Sequence, residues 1–249
     1  MPLDPTLLVL CAGFMIIGGM VKGVTGIGLP AFLVGTLSMF IAPREVVGVI
    51  LLPIMLTNIR QAFIGEPVLT VLWRYRYLAI VACAMIFVTA SLAQYVPQSV
   101  LLILVGSSVA LFGITSLIGT MPRLPDSFDV PGQGITGFLS GLLGGLTAIW
   151  GPPIVAYLMA RGVEKEEFVQ VTGLMFSVSS LWMAVGMFFA QELSWPQLGL
   201  SASMVPLAFG GIFIGEWIRA RLDRETFFKV VLVAFFLIGL NLIRKGVVG

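Results

Sequence analysis

A glycine-rich stretch interrupts the first apolar run of this chain, and a second copy interrupts a later run. The first copy extends from Gly19 to Pro30, and Gly141 follows Gly19 by 122 positions. At that offset five residues recur in step, in the pairs Gly19/Gly141, Gly23/Gly145, Thr25/Thr147, Ile27/Ile149 and Pro30/Pro152. A repeat at one fixed offset indicates a duplicated structural unit. The first copy also contains a lysine, Lys22, in apolar surroundings.

The composition of the whole chain indicates a membrane protein. Of 249 residues, 58% are hydrophobic and 10% are charged, and the mean hydropathy is +1.06. This is too little polar surface to cover a water-soluble globule. The long runs lack the alternation of apolar and polar residues that barrel strands need. We therefore predict an all-α integral membrane protein.

The residue types that carry most enzyme and metal chemistry are scarce. There is no histidine, and the two cysteines, Cys11 and Cys83, lie inside apolar runs without metal or disulfide spacing. We find no pairing of carboxylates or of nucleophile and base within the segments. We expect no catalytic residue, no metal, no cofactor and no enzymatic activity.

Ten apolar segments divide into two halves. The segments fall at about 5–22, 27–42, 45–65, 74–95, 98–119, 133–148, 151–161, 167–190, 195–217 and 225–244. The offset of 122 positions also pairs Glu45 with Glu167 and Trp73 with Trp195. We predict a first transmembrane repeat at 1–120, a linker at 121–131 and a second repeat at 132–249.

The basic residues decide between two topologies. If each glycine-rich run makes one crossing, the basic residues divide evenly between the two faces. If each run enters and returns, most of them gather on one face, and only Arg44, Arg244 and Lys245 oppose them. The gathered residues are Arg60, Arg74, Arg76, Arg123, Arg161, Lys165, Arg219, Arg221 and Arg224. The positive-inside rule favours the second topology and places these residues in the cytoplasm.

Five passes per half would turn the second half upside down relative to the first. The second limbs of the two glycine-rich runs, at 27–42 and 151–161, are shorter than the ~20 residues that span the hydrocarbon. We therefore predict two inverted-topology repeats of about five helical segments each. Their broken, re-entrant helices would enter from opposite faces and meet near the midplane.

Two broken helices in corresponding positions mark a binding site, because only protein or a watery cavity can satisfy the freed backbone groups. Glycine amides and the N-termini of the second limbs suit a small oxyanion. Lys22 would supply the countercharge, Thr25 and Thr147 hydroxyls, and Asn58 and Arg60 further polar contacts. The candidate substrate-binding residues are Lys22, Gly23, Thr25, Gly26, Gly28, Asn58, Arg60, Gly145, Thr147, Trp150 and Gly151.

Several of these residues also have a simpler interpretation. Lys22 could extend its ammonium to the membrane interface, and glycines four residues apart can serve only to pack helices closely. Asn58 could form an interhelical hydrogen bond, and Arg60 could anchor its helix at the interface. The packing interpretation alone does not explain the lysine, the threonines and the prolines.

The paired motifs resemble those of the TauE/SafE family of sulfite exporters. The matching stretches are Lys22 to Gly28 and Gly141 to Pro153, and the likeness in size and repeat covers essentially the whole chain. The resemblance implies transport of sulfite, other sulfur oxyanions or organosulfonates. The chain differs at Ala148 and Trp150, where further glycines are frequent in the family, and Leu29 follows Gly28.

We therefore expect a multi-pass secondary transporter in the cytoplasmic (inner) membrane. It would export a small anion by alternating access between the inverted halves, and a negative-inside potential suffices to drive the export. The expected partners are the anion and the lipid bilayer, with a homodimer left open and no nucleic acid. The rival interpretations are a transporter of another metabolite or ion, a membrane-embedded enzyme and a structural scaffold.

Overall fold

The computed structural model describes residues 5–118, 121–219 and 224–248, and every regular element in these ranges is a helix. The α-helices are α1 (Pro5–Thr25), α2 (Leu29–Leu37), α3 (Pro43–Ala62), α4 (Val68–Arg74), α5 (Arg76–Leu92), α6 (Gln98–Ile118), α7 (Asp129–Thr147), α8 (Gly151–Arg161), α9 (Lys165–Phe189), α10 (Trp195–Arg219) and α11 (Arg224–Val248). Among the described residues, five helical stretches are long and apolar enough to cross a membrane, at Pro5–Thr25, Pro43–Ala62, Arg76–Tyr95, Lys165–Phe189 and Trp195–Arg219. The prediction of an all-α, multi-pass integral membrane protein is confirmed.

Helices α2 and α8 are too short to cross a bilayer. They contain 9 and 11 residues, so at 1.5 Å per residue they extend about 14 and 17 Å, against a hydrocarbon core of roughly 30 Å. Each follows a break at the end of a long helix, α1 or α7, and each carries proline in its first turn. Both are half-length limbs.

Two boundaries differ from the sequence-based segments. The predicted segment at 74–95 is preceded by a separate helix, α4, because Pro67 allows a new start and Tyr75 leaves helical geometry before α5 begins. Helix α7 begins at Asp129, inside the predicted linker, after a 3-10 turn at Asp126–Phe128. Arg221, one of the basic residues used to orient the chain, lies outside the described residues.

Helices α1 and α10 pack with their backbones in contact. A Cβ atom added at Gly23 would lie 2.3 Å from the carbonyl oxygen of Ile212, and one at Gly211 would lie 2.2 Å from that of Ile16. Helices α5 and α7 approach in the same way at Gly141 and Gly145. Any side chain at these positions would push the helices apart, so these glycines have a packing role.

The other extensive helix contacts are those of α6 with α11 and of α3 with α9. Helices α6 and α11 meet at Gly106 and Gly239, where a Cβ atom added to either would lie within 2.6 Å of the other's carbonyl oxygen. The end of α3 lies beside the start of α9, where Gln170 donates a hydrogen bond to the carbonyl of Ala62. These pairs surround the two breaks.

Candidate functional site

The two breaks share a backbone feature. Gly26 has φ of 85°, and Ala148, which stands 122 positions later, has φ of 58°, so both adopt the left-handed conformation. Gly28 has φ of 97° at the start of α2, whereas Trp150, at the start of α8, has φ of −88°. Left-handed geometry favours glycine over residues with a Cβ atom. Ala148 therefore occupies a strained position that glycine fills in the first break.

The two threonines hold the breaks rather than face a cavity. The Thr25 hydroxyl donates to the carbonyl of Val21 at 2.8 Å, and the Ile27 amide donates to the Thr25 hydroxyl at 3.3 Å. Thr147 repeats this pattern with Leu143 at 2.7 Å and Ile149 at 3.2 Å. The hydroxyls satisfy backbone groups that the breaks expose.

Lys22 lies in the last turn of α1 and is 3% exposed. Its Nζ atom donates hydrogen bonds to Oδ1 of Asn58 at 2.5 Å and to Oγ1 of Thr57 at 3.2 Å. Both acceptors are neutral, and among the described residues Lys22 forms no ion pair. A buried ammonium usually has a carboxylate partner, because desolvation disfavours an isolated charge. A positive charge on Lys22 therefore has no carboxylate partner among the described residues.

Asn58 fixes the ammonium through its amide oxygen. Its Nδ2 atom donates one hydrogen bond, to the carbonyl of Ile54 at 2.7 Å, which orients Oδ1 towards Lys22. Thr57 donates to the carbonyl of Pro53 at 2.7 Å and accepts from Lys22. Asn58 therefore positions Lys22 in this conformation.

A cavity of about 300 Å³ reaches Lys22 from one end of the bundle. Its charged lining comprises four cations and two carboxylates, a formal excess of two positive charges. The lining residues are Lys22, Gly23, Gly26, Thr57, Arg60, Gln61, Ile64, Lys165, Glu166, Val169, Phe209, Ile212, Glu216 and Arg219. A concave site with an excess of one charge sign concentrates ions of the opposite sign. The cavity suits a small anion.

Several residues of this cavity were not among the sequence candidates. Gln61 donates to the carbonyl of Gly26 at 2.8 Å and so connects α3 to the first break. Arg60 forms an ion pair with Glu216 at 3.3 Å across the mouth of the cavity. The charges of Glu216 and Arg219 follow an apolar run and are typical of a solvated loop, so only the packing of α10 against α1 assigns them to the cavity.

The second break lies away from Lys22. Trp150 is 1% exposed and packs edge-on against Phe176, with ring centroids 5.9 Å apart. Its Nε1 atom is buried and has no hydrogen-bond partner among the described residues. Gly145 lines a different and much smaller cavity. The structure thus divides the sequence candidates into two groups, one around Lys22 and one around Trp150.

Phe112, on α6, lies between the two breaks. A Cβ atom added at Gly28 would be 3.6 Å from Cε1 of the Phe112 ring, and one added at Gly151 would be 3.5 Å from Cε2. Phe235 packs against Phe112 with ring centroids 5.6 Å apart. The breaks approach to within about the width of one aromatic ring, and that ring separates them.

A network of ion pairs connects the end of α4 to the start of α9. Arg74 bonds to Glu167 at 2.7 Å and to Glu66 at 3.0 Å, and Tyr75 donates to Glu167 at 2.8 Å. The hydrogen bond to Glu167 raises the pKa of the Arg74 guanidinium above its usual value. Exposed pairs of this kind contribute ~0–1 kcal/mol each. Because these pairs do not line the cavity at Lys22, a substitution in them can serve as a control.

The helix pairs, the two half-length limbs and the buried ammonium define a multi-pass helical membrane protein with discontinuous helices, the architecture of many secondary transporters. The model of the sulfite exporter TauE/SafE family matches residues 10–242. The chain belongs to this family. No curated protein and no solved structure matched it in the corresponding searches.

Proposed function

We propose that this protein is a secondary transporter of the cytoplasmic membrane that exports a small sulfur oxyanion, sulfite or an organosulfonate, by alternating access. The observation that carries this proposal is Lys22, a buried ammonium bonded only to neutral oxygens. An anion that enters the cavity would neutralise Lys22 without displacing a carboxylate. Membership of the sulfite exporter TauE/SafE family supports a sulfur oxyanion as the substrate.

The orientation of the cavity supports export from the cytoplasm. The cavity opens between the ends of α1, α3 and α10 and the start of α9, where Arg60, Lys165 and Arg219 lie. These residues belong to the set that the positive-inside rule assigns to the cytoplasm. In the proposed cycle, this conformation accepts the anion from the cytoplasmic side.

We further propose that residues 1–120 and 132–249 are inverted repeats joined by the linker at 121–131. Under the offset of 122 positions α1 corresponds to α7, and α10 corresponds to the region of α4 and α5. The contacts of α1 with α10 and of α5 with α7 are then equivalent. The shared left-handed residues and the matching threonine bonds of the two breaks support the same relation.

A ligand screen tests the proposed substrate class. The purified protein in detergent is heated with sulfite, sulfate, thiosulfate, sulfoacetate or taurine, with chloride at equal ionic strength as the control. A ligand at 100 times its Kd stabilises by about 2.7 kcal/mol, which corresponds to a rise in Tm of roughly 5–10 °C for a chain of this size. We expect sulfite or an organosulfonate to give this rise. Equal shifts with chloride, or shifts only with neutral or cationic metabolites, would support the alternative, a transporter of another substrate.

Asn58→Asp tests whether the free charge of Lys22 binds the anion. The substitution keeps the size of the side chain and places a carboxylate at the atom that now accepts from Lys22 at 2.5 Å. The new carboxylate should neutralise the ammonium, so the apparent affinity for sulfite should fall at least about 10-fold, consistent with ~1.5–3 kcal/mol for a charged hydrogen bond. Titrations of the thermal shift measure this affinity.

Asn58→Leu is the matched control, because it removes the same amide without adding charge. Asn58→Leu also removes the acceptor that positions Lys22, so we expect some loss of affinity for sulfite, but at least about threefold less than in Asn58→Asp, since the ammonium keeps its charge. If Asn58→Asp binds sulfite as tightly as Asn58→Leu does, Lys22 is not the countercharge.

A further inference from the structure

A second ion pair lies at the opposite end of α3 from the cavity. Nη1 of Arg44, in the first turn of α3, is 3.7 Å from Oε1 of Glu192, which follows α9. Nη2 of Arg44 donates to the carbonyl of Val96. Nε of Arg44 is buried and has no hydrogen-bond partner among the described residues. The guanidinium is thus only partly satisfied by the groups around it.

The backbone after α9 holds Glu192 in place. Gln191 has φ of 57°, a conformation that favours glycine. Its amide donates to the carbonyl of Phe188 at 3.0 Å, and the amide of Glu192 donates to that of Met187 at 2.9 Å. This paired arrangement turns the chain back over the end of the helix. Strain at a non-glycine residue persists where the surroundings require that geometry.

Beside the pair lies a small cavity of about 10 Å³, room for one water molecule at most. Its walls include Gly145 and Leu146 from the second broken helix and the buried thioethers of Met183 and Met187. Gly145 is the counterpart of Gly23, which lines the cavity of about 300 Å³ at the other end. Corresponding glycines therefore line the two cavities, but of these two only the one at Gly23 has room for an oxyanion. On its other side, Arg44 lines a separate cavity of about 270 Å³.

We propose that Arg44 is an outer binding station for a small oxyanion and that the Glu192 carboxylate occupies it in this conformation and closes the outer end of the pathway. This proposal rests on the proposed transport function. A departing anion can replace the carboxylate, because the guanidinium has a buried donor to spare and binds oxyanions through paired N–H groups. Burial raises the pKa of the Glu192 carboxyl, and the charge of Arg44 opposes that shift.

Thiol labelling measures the closure without any substrate. Met187→Cys is introduced into a Cys11→Ala, Cys83→Ala background, and purified protein in detergent reacts with N-ethylmaleimide, a neutral reagent that charge changes do not steer. We expect slow labelling with the pair intact and labelling at least about 10-fold faster in Glu192→Gln and in Arg44→Gln. The double variant should label no faster than either single one, since both remove the same contact.

Glu66→Gln is the control, because it removes an exposed carboxylate paired with Arg74 at 3.0 Å. It should leave the labelling rate of Met187→Cys unchanged. If Glu192→Gln and Arg44→Gln change that rate by less than twofold, the pair does not close the outer end, whatever the substrate is.

Sulfate tests the binding station. In Glu192→Gln, sulfate at the ionic strength of a chloride control should slow labelling at least threefold, and adding Arg44→Gln should abolish this protection. Adding Lys22→Met should leave the protection in place, since Lys22 belongs to the inner cavity. If sulfate gives no protection, or if the protection depends on Lys22 instead of Arg44, then Arg44 is not an anion-binding station. Neither result would contradict the proposed inner site at Lys22.

Discussion

Lys22→Met protein should bind and export sulfite about 100-fold less effectively than the unchanged protein at low sulfite concentration. Methionine keeps an unbranched side chain one atom shorter than lysine but removes the buried charge that, among the described residues, bonds to Asn58 and Thr57. A hydrogen bond to a charged group contributes ~1.5–3 kcal/mol, which corresponds to roughly 10- to 150-fold in affinity. Efflux from proteoliposomes and the thermal shift with sulfite provide two separate measurements.

Lys245→Met is the matched control, since Lys245 is exposed and, within the part of the chain that the structure describes, its ammonium donates to the carbonyl of Met39. Its sulfite efflux should equal that of the unchanged protein. Gel filtration and circular dichroism establish that both variants are folded and inserted. Full sulfite efflux by folded Lys22→Met protein would show that Lys22 is not the countercharge of the anion.

Gly23→Ala is expected to destabilise the protein strongly. The added Cβ atom would lie 2.3 Å from the carbonyl oxygen of Ile212, 2.9 Å from the amide nitrogen of Glu216 and 3.0 Å from Cα of Gly215. All three are backbone atoms, so α1 and α10 must separate. Overpacking costs ~1–3 kcal/mol, and more where the neighbours cannot yield. Thermal unfolding in detergent measures the loss.

Gly13→Ala provides the comparison on the same helix, because a Cβ atom there would meet nothing within 4 Å. Alanine is the better helix former by about 0.5–1 kcal/mol, so this variant should be as stable as the unchanged protein or slightly more so. Equal behaviour of Gly13→Ala and Gly23→Ala would show that α1 and α10 do not pack as closely as the structure places them.

The membrane class, the half-length limbs and the location of Lys22 within an apolar helix could be predicted from the sequence, because each depends on local composition. Apolar run lengths separate α2 and α8 from the spanning helices, and an isolated lysine in an apolar run is informative by itself. Asn58 was also a candidate, but its role as an acceptor for Lys22 depends on the rotation of α3 relative to α1. No local pattern encodes that rotation.

The rest of the site depends on long-range packing. Glu216 and Lys165 reach the cavity only because α9 and α10 pack beside α1 and α3. The hydroxyls of Thr25 and Thr147 were expected to face an anion, whereas the left-handed residues after them create backbone donors that the hydroxyls satisfy first. Trp150 points into packed side chains, a direction set by the turn at Ala148.

The glycine contact between α1 and α10 limits how this protein can change shape. Helix α1 belongs to the first half of the sequence and α10 to the second, yet their backbones touch at Gly23 and Gly211. Helices α5 and α7 are joined across the halves in the same way. The two helices of each pair cannot slide past one another without backbone clashes, so each pair moves as a rigid unit. In the proposed transport cycle, the bodies that rock would therefore be assembled from both halves of the sequence, and an altered contact in one half would change the motion of the other.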